Sequence, residues 1–426
     1  MFTVEDEYDD DDGVGFYRME SQSAVSIADR GAGDEADDSA PWWLTETSTL
    51  ASLASKRTPI YVYSEAALLQ AAKQLKSLRS VDRIFYSIKA NANPDVLKVF
   101  EQQGFCFECV SLTEVKHLLK LFPNLEKRRI NFTPNFAPKR EYAKALDLGV
   151  FVTIDSPTVI QMWGQQLFQK REVLLRVDPG LPNRGHHHYV QTAGDEAKFG
   201  LSLEELPDLK KQLEAIQCKV IGLHGHVGSG ILDTNQWAEI AAVLEKARIQ
   251  CGWQDLQYMN LGGGMGIPED GRDEPALDLA RVEQSLREFK EKSGCRAEFW
   301  LESGRFLVAR SGVLLCRVTQ SRWKEGRWFV GVDAGMNSLL RPALYGARHS
   351  VRNLTRMQMT EPQARAEVVG PICESADSFG RHLLPVGTRE DDLLLMADAG
   401  AYGHVMSSWY NMRGPAREHF LRRANK

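Results

Sequence analysis

No apolar run in this sequence reaches the roughly 18 to 20 residues that cross a bilayer, and its N-terminus opens on acidic residues instead of a basic segment followed by an apolar one. Neither membrane insertion nor secretion is expected. Cysteine is sparse: seven residues, an odd number, run from Cys106 to Cys373 without the spacing of a small disulfide scaffold. That usage suits a reducing compartment, so the cytoplasm is the expected location. Cys106 and Cys109 have CxxC spacing, but no second pair exists and a strand turns the two thiols to opposite faces, so each reads as a buried thiol. His186, His187 and His188 look like a metal tract, yet three consecutive side chains cannot converge on one ion from regular backbone, and no metal is expected. Basic charge is not in surplus either. Residues 1–40 hold thirteen Asp or Glu and two Arg, net −11, whereas the remaining residues hold 50 basic and 44 acidic groups, net +6. That excess suits small anions but is too weak and dispersed for a nucleic-acid partner. The acidic arm has too little apolar content to order itself and is expected to be a disordered, solvating tail.

What is present is a large core. The chain has 426 residues, 43% hydrophobic and 26% charged, enough for two domains. Between residues 59 and 302, short apolar runs alternate with longer amphipathic stretches. Candidate strands end near Lys89 (RIFYSIK), Val110 (FCFECV), Thr133 (RINFT), Asp155 (VFVTID), Asp178 (VLLRVD), His226 (VIGLHGH), Gly262 (YMNLG) and Glu302 (EFWLE). Helical stretches fill the gaps, such as residues 111–121, which open with the capping-box pair Ser111 and Glu114, and residues 234–250. Eight alternating strand and helix units over about 240 residues are what a (β/α)8 TIM-like barrel requires. A doubly wound open sheet is the other reading, but no GxGxxG follows the first strand. After Arg305 the runs FLVARSGVLLCRVTQ, RWFVGVDAG, RAEVVG and DLLLMADAG are β-rich. They predict an all-β second domain, a barrel or sandwich, over 306–426, completed by residues 41–63, with 64–305 forming the first barrel.

In that barrel Lys89, Glu108, Arg176, His226, Gly262, Gly263, Gly264 and Glu302 all fall at or just past strand C-terminal ends, the face on which barrel enzymes place their sites. So many polar residues on one rim point to one site. Lys89 closes its strand, and Pro94 fits the first turn of the helix that follows. A desolvated amine there has a lowered pKa and can attack a carbonyl, which makes Lys89 a candidate Schiff-base lysine; a solvated lysine at a loop mouth is the other reading. In LHGHVGSG, residues 223–230, His224 and His226 share one strand face. No third ligand stands at zinc spacing, and the GSG turn offers backbone and hydroxyl donors, so phosphate fits better than a metal. LGGGMGI, residues 261–267, offers a second cradle, because glycine lets backbone N–H groups approach an anion closely. Glu302 in WLESGRF can hold a pyridine nitrogen protonated while Arg305 pairs with phosphate or carboxylate; a local Glu–Arg ion pair is the alternative. PICESAD, residues 371–377, and DAGAYGHVMSSWYN, residues 398–411, place a thiol, acids and a tyrosine on loops among strands, which is more chemistry than a fold needs.

Together YSIKAN, ECVSLTE, HVGSG, LGGG, ESGR, RPALYGA, CESAD and GAYGHVMSS, in that order within residues 42–420, resemble the fold-type III pyridoxal-phosphate decarboxylases, the ornithine and diaminopimelate decarboxylase family. RPALYGA, CES and MSSWYN are most similar to its diaminopimelate branch, and GHHHYVQTAG with KFG resembles the decarboxylase half of bacterial fusions with an aspartate kinase, although no kinase sequence is present here. By matching position, the resemblance implies that Lys89 carries pyridoxal 5'-phosphate, with Glu108 and Arg176 among the residues around it. His226 would stack on the ring and Glu302 would protonate its nitrogen. Ser229, Gly262, Gly263, Gly264 and Tyr402 would hold the phosphate, with Arg305 assisting there or binding a substrate carboxylate. Arg341, Tyr345, Glu374 and Tyr402 match substrate-binding positions, and Cys373, catalytic together with Lys89, matches a residue given by a partner subunit. A homodimer with shared sites is therefore implied, acting on a small amino acid, with no nucleic acid or membrane involved. The implied reaction is decarboxylation of meso-2,6-diaminopimelate to L-lysine and CO2. Its second amino-acid end needs a cation for a carboxylate and an anion for an ammonium, and Arg341 and Glu374 supply that pair. The alternatives are the same scaffold acting on another basic amino acid or a carboxylated polyamine, and a catalytically inactive regulatory homologue, against which Lys89, Glu302 and Cys373 argue. Two positions depart from the family's pattern: Ser303 stands where proline is usual, which removes a fixed φ between Glu302 and Arg305, and Thr113 stands where glycine is common.

Overall fold

The computed structural model describes residues 40–182, 193–194, 197–270 and 274–423. The acidic arm and the tract of His186, His187 and His188 lie outside the described residues. A first strand, β1 (Ile60–Ser64), precedes eight strands that close into a barrel: β2 (Arg83–Ser87), β3 (Cys106–Cys109), β4 (Ile130–Phe132), β5 (Phe151–Ile154), β6 (Glu172–Val177), β7 (Lys219–Gly225), β8 (Tyr258–Asn260) and β9 (Glu298–Ser303). Every neighbouring pair is parallel, and β9 returns to β2 to complete the ring, as the alternating strand and helix units predict.

The helices that cross between strands begin where the local chemistry dictates. Asn93 caps the helix Pro94–Gln102 by accepting from the Asp95 amide, Pro94 occupies the first turn, and Val96, Leu97, Val99 and Phe100 are buried against the barrel. Each such side chain contributes roughly 1.5–3 kcal/mol on burial, so this face outweighs the cap, worth about 1 kcal/mol. Ser111 caps the helix Leu112–Leu121 through the Glu114 amide, and the Glu114 carboxylate accepts from the Val110 N–H.

Inside the barrel, residues two apart along a strand share the interior face, and the pairs change character from floor to rim. Cys106 and Glu108, Phe151 and Thr153, Leu174 and Arg176, and Trp300 and Glu302 each pair an apolar floor residue with a polar one above it. Phe85, Phe151, Leu174, Ile221 and Trp300 form one cluster that plugs the floor, with Phe85 and Phe151 each 4.9 Å from Trp300 between ring centroids. The polar layer therefore opens only toward the strand C-terminal ends.

One detail departs from the sequence reading. β2 stops at Ser87, and Ile88–Ala90 form a single 3-10 turn, so Lys89 leaves the sheet before the strand was expected to end. The turn is tied from outside the barrel: the Tyr402 amide donates to the Ala90 carbonyl at 2.8 Å, and the Asn91 side-chain amide donates to the Gly400 carbonyl at 3.0 Å.

Residues 398–403 come from the second region, a sheet of eight strands. It contains β10 (Gly312–Lys324), β11 (Arg327–Val332), β12 (Val351–Asn353), β13 (Gln363–Val369), β14 (Ser378–Pro385), β15 (Leu393–Met396) and β16 (Arg417–Leu421), together with β1. β1 pairs antiparallel with β10 and parallel with β16. The region is mostly sheet, but it departs from an all-β expectation at two helices: Thr47–Lys56, whose Leu50 and Ala54 pack on Val62, Val313 and Leu315, and the short Arg341–Tyr345. No helix among the described residues is long and apolar enough to cross a membrane.

Candidate active site

Lys89 projects into a small cleft at the barrel mouth lined by Ser87, His226, Gly228, Ser229, Gly263, Gly264, Met265, Glu302, Gly304, Arg305 and Tyr402. The strand registers explain the company it keeps. Ser87 lies opposite Glu108 on β3, and Phe85 opposite Glu302 on β9, so carboxylates flank the turn on both sides. The Lys89 ammonium is 2.5 Å from one oxygen of Glu108, and the Thr133 hydroxyl donates to the other oxygen. Burial alone would lower the lysine pKa, but the carboxylates of Glu108 and Glu302 outweigh it and raise the pKa above the ordinary value. This corrects the expectation of a depressed amine pKa. Desolvation was legible from the segment, whereas the carboxylate across the neighbouring strand was not.

Glu302 is 4% exposed and accepts from the Asn260 side-chain amide at 2.8 Å. Its other oxygen lies 3.6 Å from Nε2 of His224, a buried ring whose two nitrogens have no hydrogen-bond partner among the described residues. Burial would raise its pKa, but His224 and the Lys89 ammonium hold the carboxyl well below the usual carboxylate range. His226 lies one residue beyond β7, and its Nδ1 accepts from the Gly263 amide at 3.2 Å. Burial, helped by Arg176, pushes the His226 pKa well below its ordinary value, so the ring is neutral with its proton on Nε2. Arg176 is buried, with its guanidinium carbon 4.5 Å from the Phe199 ring centroid, and it does not line the cleft.

At the other end of the cleft, Nε and Nη2 of Arg305 donate to the Ser229 hydroxyl oxygen at 3.2 and 3.1 Å, and the guanidinium stacks 5.1 Å from the Tyr402 ring centroid. The glycine run is less of a cradle than its composition suggests. The Gly262 amide donates to the Asn260 side-chain oxygen and the Gly263 amide to His226, so these two fix Asn260, which holds Glu302, and the His226 imidazole. Of the three, Gly264 alone makes no such internal bond among the described residues. Glycine is required at Gly262 and Gly264, with φ of 66° and 97°, and a Cβ there would meet the carbonyl oxygens of Gly225 and Gly228 at 2.3 and 2.6 Å.

The remaining predicted residues divide into two groups. Arg341 is buried and in electrostatic range of Arg305, Tyr402 and Tyr345; burial, then Arg305, pushes its pKa down to about 9. It donates to His349 at 3.1 Å and lies 3.5 Å from Glu269, a residue of the loop after β8. Cys373 and Glu374 are exposed on a loop away from the cleft, where Glu374 accepts from the Tyr410 hydroxyl and the Cys373 amide donates to Asn411 at 2.8 Å. Neither is among the residues that line the Lys89 cleft. Sequence reasoning noticed His224 but gave it no place in the site, and it missed Thr133, Asn260 and His349. The first three were accessible in principle, because each sits two residues above a barrel-interior position; His349 carries no local signal. No cluster of three or more potential metal ligands occurs among the described residues.

Residues 65–309 match the family described as pyridoxal-dependent decarboxylase, pyridoxal binding domain. The diaminopimelate decarboxylase of Deinococcus radiodurans is 34% identical over 358 residues, covering 84% of this chain and 88% of its relative. The chain belongs to this decarboxylase family. Among solved structures, a diaminopimelate decarboxylase superposes with a TM-score of 0.80 at 30% identity, over 89% of this chain and 92% of the other. The Helicobacter pylori diaminopimelate decarboxylase complexed with L-lysine gives 0.77 at 28% identity, over 88% and 94%. The donor set fits the pyridoxal phosphate on which this decarboxylase family depends. An amine, a neutral imidazole and an ionised buried carboxylate suit an aldehyde-bearing pyridine, and the Ser229–Arg305 end suits a phosphate.

Proposed function

We propose that this decarboxylase acts on meso-2,6-diaminopimelate and forms L-lysine and CO2. The observation that carries the reading is the alignment of three chemistries. Lys89 and ionised Glu302 share one cleft, Ser229 and Arg305 close its far end, and next to them Arg341 offers a buried guanidinium whose Nε has no hydrogen-bond partner among the described residues. A cation held in this way suits a substrate with a carboxylate remote from the reacting carbon, which a simple diamine precursor lacks. The names of the relatives support the same substrate.

Pyridoxal phosphate, when bound, supplies the electron sink that lets an α-amino acid lose its carboxylate. Lys89 would anchor it through its amine, and Glu108, at 2.5 Å, would take up the proton that the ammonium must lose. Glu302, kept ionised, would accept the ring N–H, and neutral His226 would pack on the ring. Ser229, the Gly264 amide, Tyr402 and Arg305 would hold the phosphate. Arg341 and Tyr345 would bind the distal end of the substrate. Glu374, and Cys373 as proton donor to the product, would come from a second copy of the chain, since both are exposed and neither lines the Lys89 cleft in their own. The protein would thus be a homodimer with shared sites, and its seven free thiols suit the cytoplasm. The likeness to the decarboxylase half of aspartate kinase fusions rests on motifs that lie largely outside the described residues.

The test is CO2 release by protein loaded with pyridoxal phosphate, measured over meso-diaminopimelate, lysine, ornithine and arginine. Release from diaminopimelate alone is expected. Equal or greater kcat/KM with ornithine, lysine or arginine would move the assignment to another amino acid, and silence with all four, together with no visible absorbance of bound cofactor, would point to an inactive homologue.

A further inference from the structure

The guanidinium of Arg341 is held most closely at Nη1. Its Nη1 lies 3.1 Å from Nε2 of His349, and Nδ1 of that histidine lies 2.9 Å from the Ala397 carbonyl oxygen. A carbonyl can only accept, so Nδ1 carries the proton and Nε2 is left as the acceptor for an Arg341 N–H. Burial, with Arg341 close by, pushes the histidine pKa down to about 3, which keeps the ring neutral in neutral solution. The ring has no freedom to turn away. It is 2% exposed, and its neighbour Ser350 accepts from the Ala397 amide at 2.8 Å, just beyond the pairing of Val351 in β12 with Met396 in β15.

This contact decides which edge of the arginine is available. With Nη1 committed, Nη2 has only the 3.5 Å contact to Glu269, and Nε has no partner, among the described residues. Nε and Nη2 together form the side edge of a guanidinium, which matches the two oxygens of a carboxylate. We propose that His349 is a positioning residue for substrate selection: by accepting from Nη1 it aims the Nε–Nη2 edge of Arg341 at the distal carboxylate of the substrate. The inference rests on the reading of Arg341 given above.

Two substitutions separate the two contacts of the ring. His349→Asn can still donate to Ala397 but is too short to reach Arg341, whereas His349→Gln can place an oxygen where Nε2 now accepts. Steady-state kinetics with meso-diaminopimelate and the visible absorbance of the loaded enzyme are measured for both and for Arg341→Lys. For His349→Asn, KM is expected to rise roughly ten- to hundred-fold, with a much smaller change in kcat and an unaltered cofactor absorbance. His349→Gln is expected to recover most of the loss. A purely structural histidine would instead disturb kcat, absorbance and KM together in both variants, and that outcome overturns the proposal. So does an unchanged KM in His349→Asn when Arg341→Lys raises it. An unchanged KM in Arg341→Lys would show that the reading of Arg341 itself is at fault, and the proposal would fall with it.

Discussion

The barrel mouth and the loop around Cys373 are built on opposite principles. At the mouth, Glu108, Glu302 and Arg305 are buried, and each is held by a named partner: Lys89 and Thr133, Asn260, and Ser229. Around Cys373 the side chains are exposed, the neighbouring backbone passes through left-handed conformations at Asn411 and Met412, and Trp409 and Met412 present 73% and 93% of their surface to solvent. One region is finished within a single chain, and the other carries apolar surface of the kind that marks an interaction face. If, as proposed, the mouth anchors the cofactor and the loop completes the substrate site of a second copy, substitutions in the two parts should fail differently.

The largest effect is expected at the mouth. Lys89→Ala should remove the visible absorbance of bound cofactor and lower kcat/KM by at least about 10⁴-fold; a variant that keeps both would break the comparison at once. Glu302→Gln should retain cofactor while lowering kcat by roughly 10²- to 10³-fold, because the neutral amide no longer favours a protonated ring nitrogen. The loop should behave otherwise. Cys373→Ala should bind cofactor normally yet turn over slowly, and mixing it with Lys89→Ala should restore roughly a quarter of wild-type activity if each site draws on two chains. No recovery on mixing would confine the site to one chain. Within the mouth, Thr133→Val should lower stability by about 1–2 kcal/mol, read from denaturant melts, because a buried carboxylate loses its donor.

The smallest effect is one of pH. The His349 pKa falls from its ordinary 6.5 to about 3 in the fold, so between those values the unfolded chain binds the extra proton. Stability is then full above about 6.5 and is lost as pH falls toward 3. A His349→Gln protein should show a flatter acid limb in Tm against pH; an identical limb would mean that the ring is not buried neutral.

Much of this was legible in the chain. Period-two alternation in RIFYSIK or EFWLES marks strands buried in a ring, and the polar residues collect at their C-terminal ends because the aromatic floor leaves no other opening. What escaped was the meeting of residues from different strands. Lys89 reads as a desolvated amine until β3 places Glu108 beside it, and the glycine run reads as an anion cradle until Asn260 and His226 claim two of its amides. His349 lies just past the RPALYGA motif and has no periodic pattern around it to mark it; only the pairing of β12 with β15 brings it between Arg341 and Ala397.

The central claim is that Lys89, in this cleft, is the residue that carries the cofactor. Borohydride reduction of the loaded protein, followed by peptide mapping, tests it directly. The account predicts a pyridoxyl group on the peptide that contains Lys89 and on no other; a label on a different lysine, or none on a protein that still releases CO2, would contradict it.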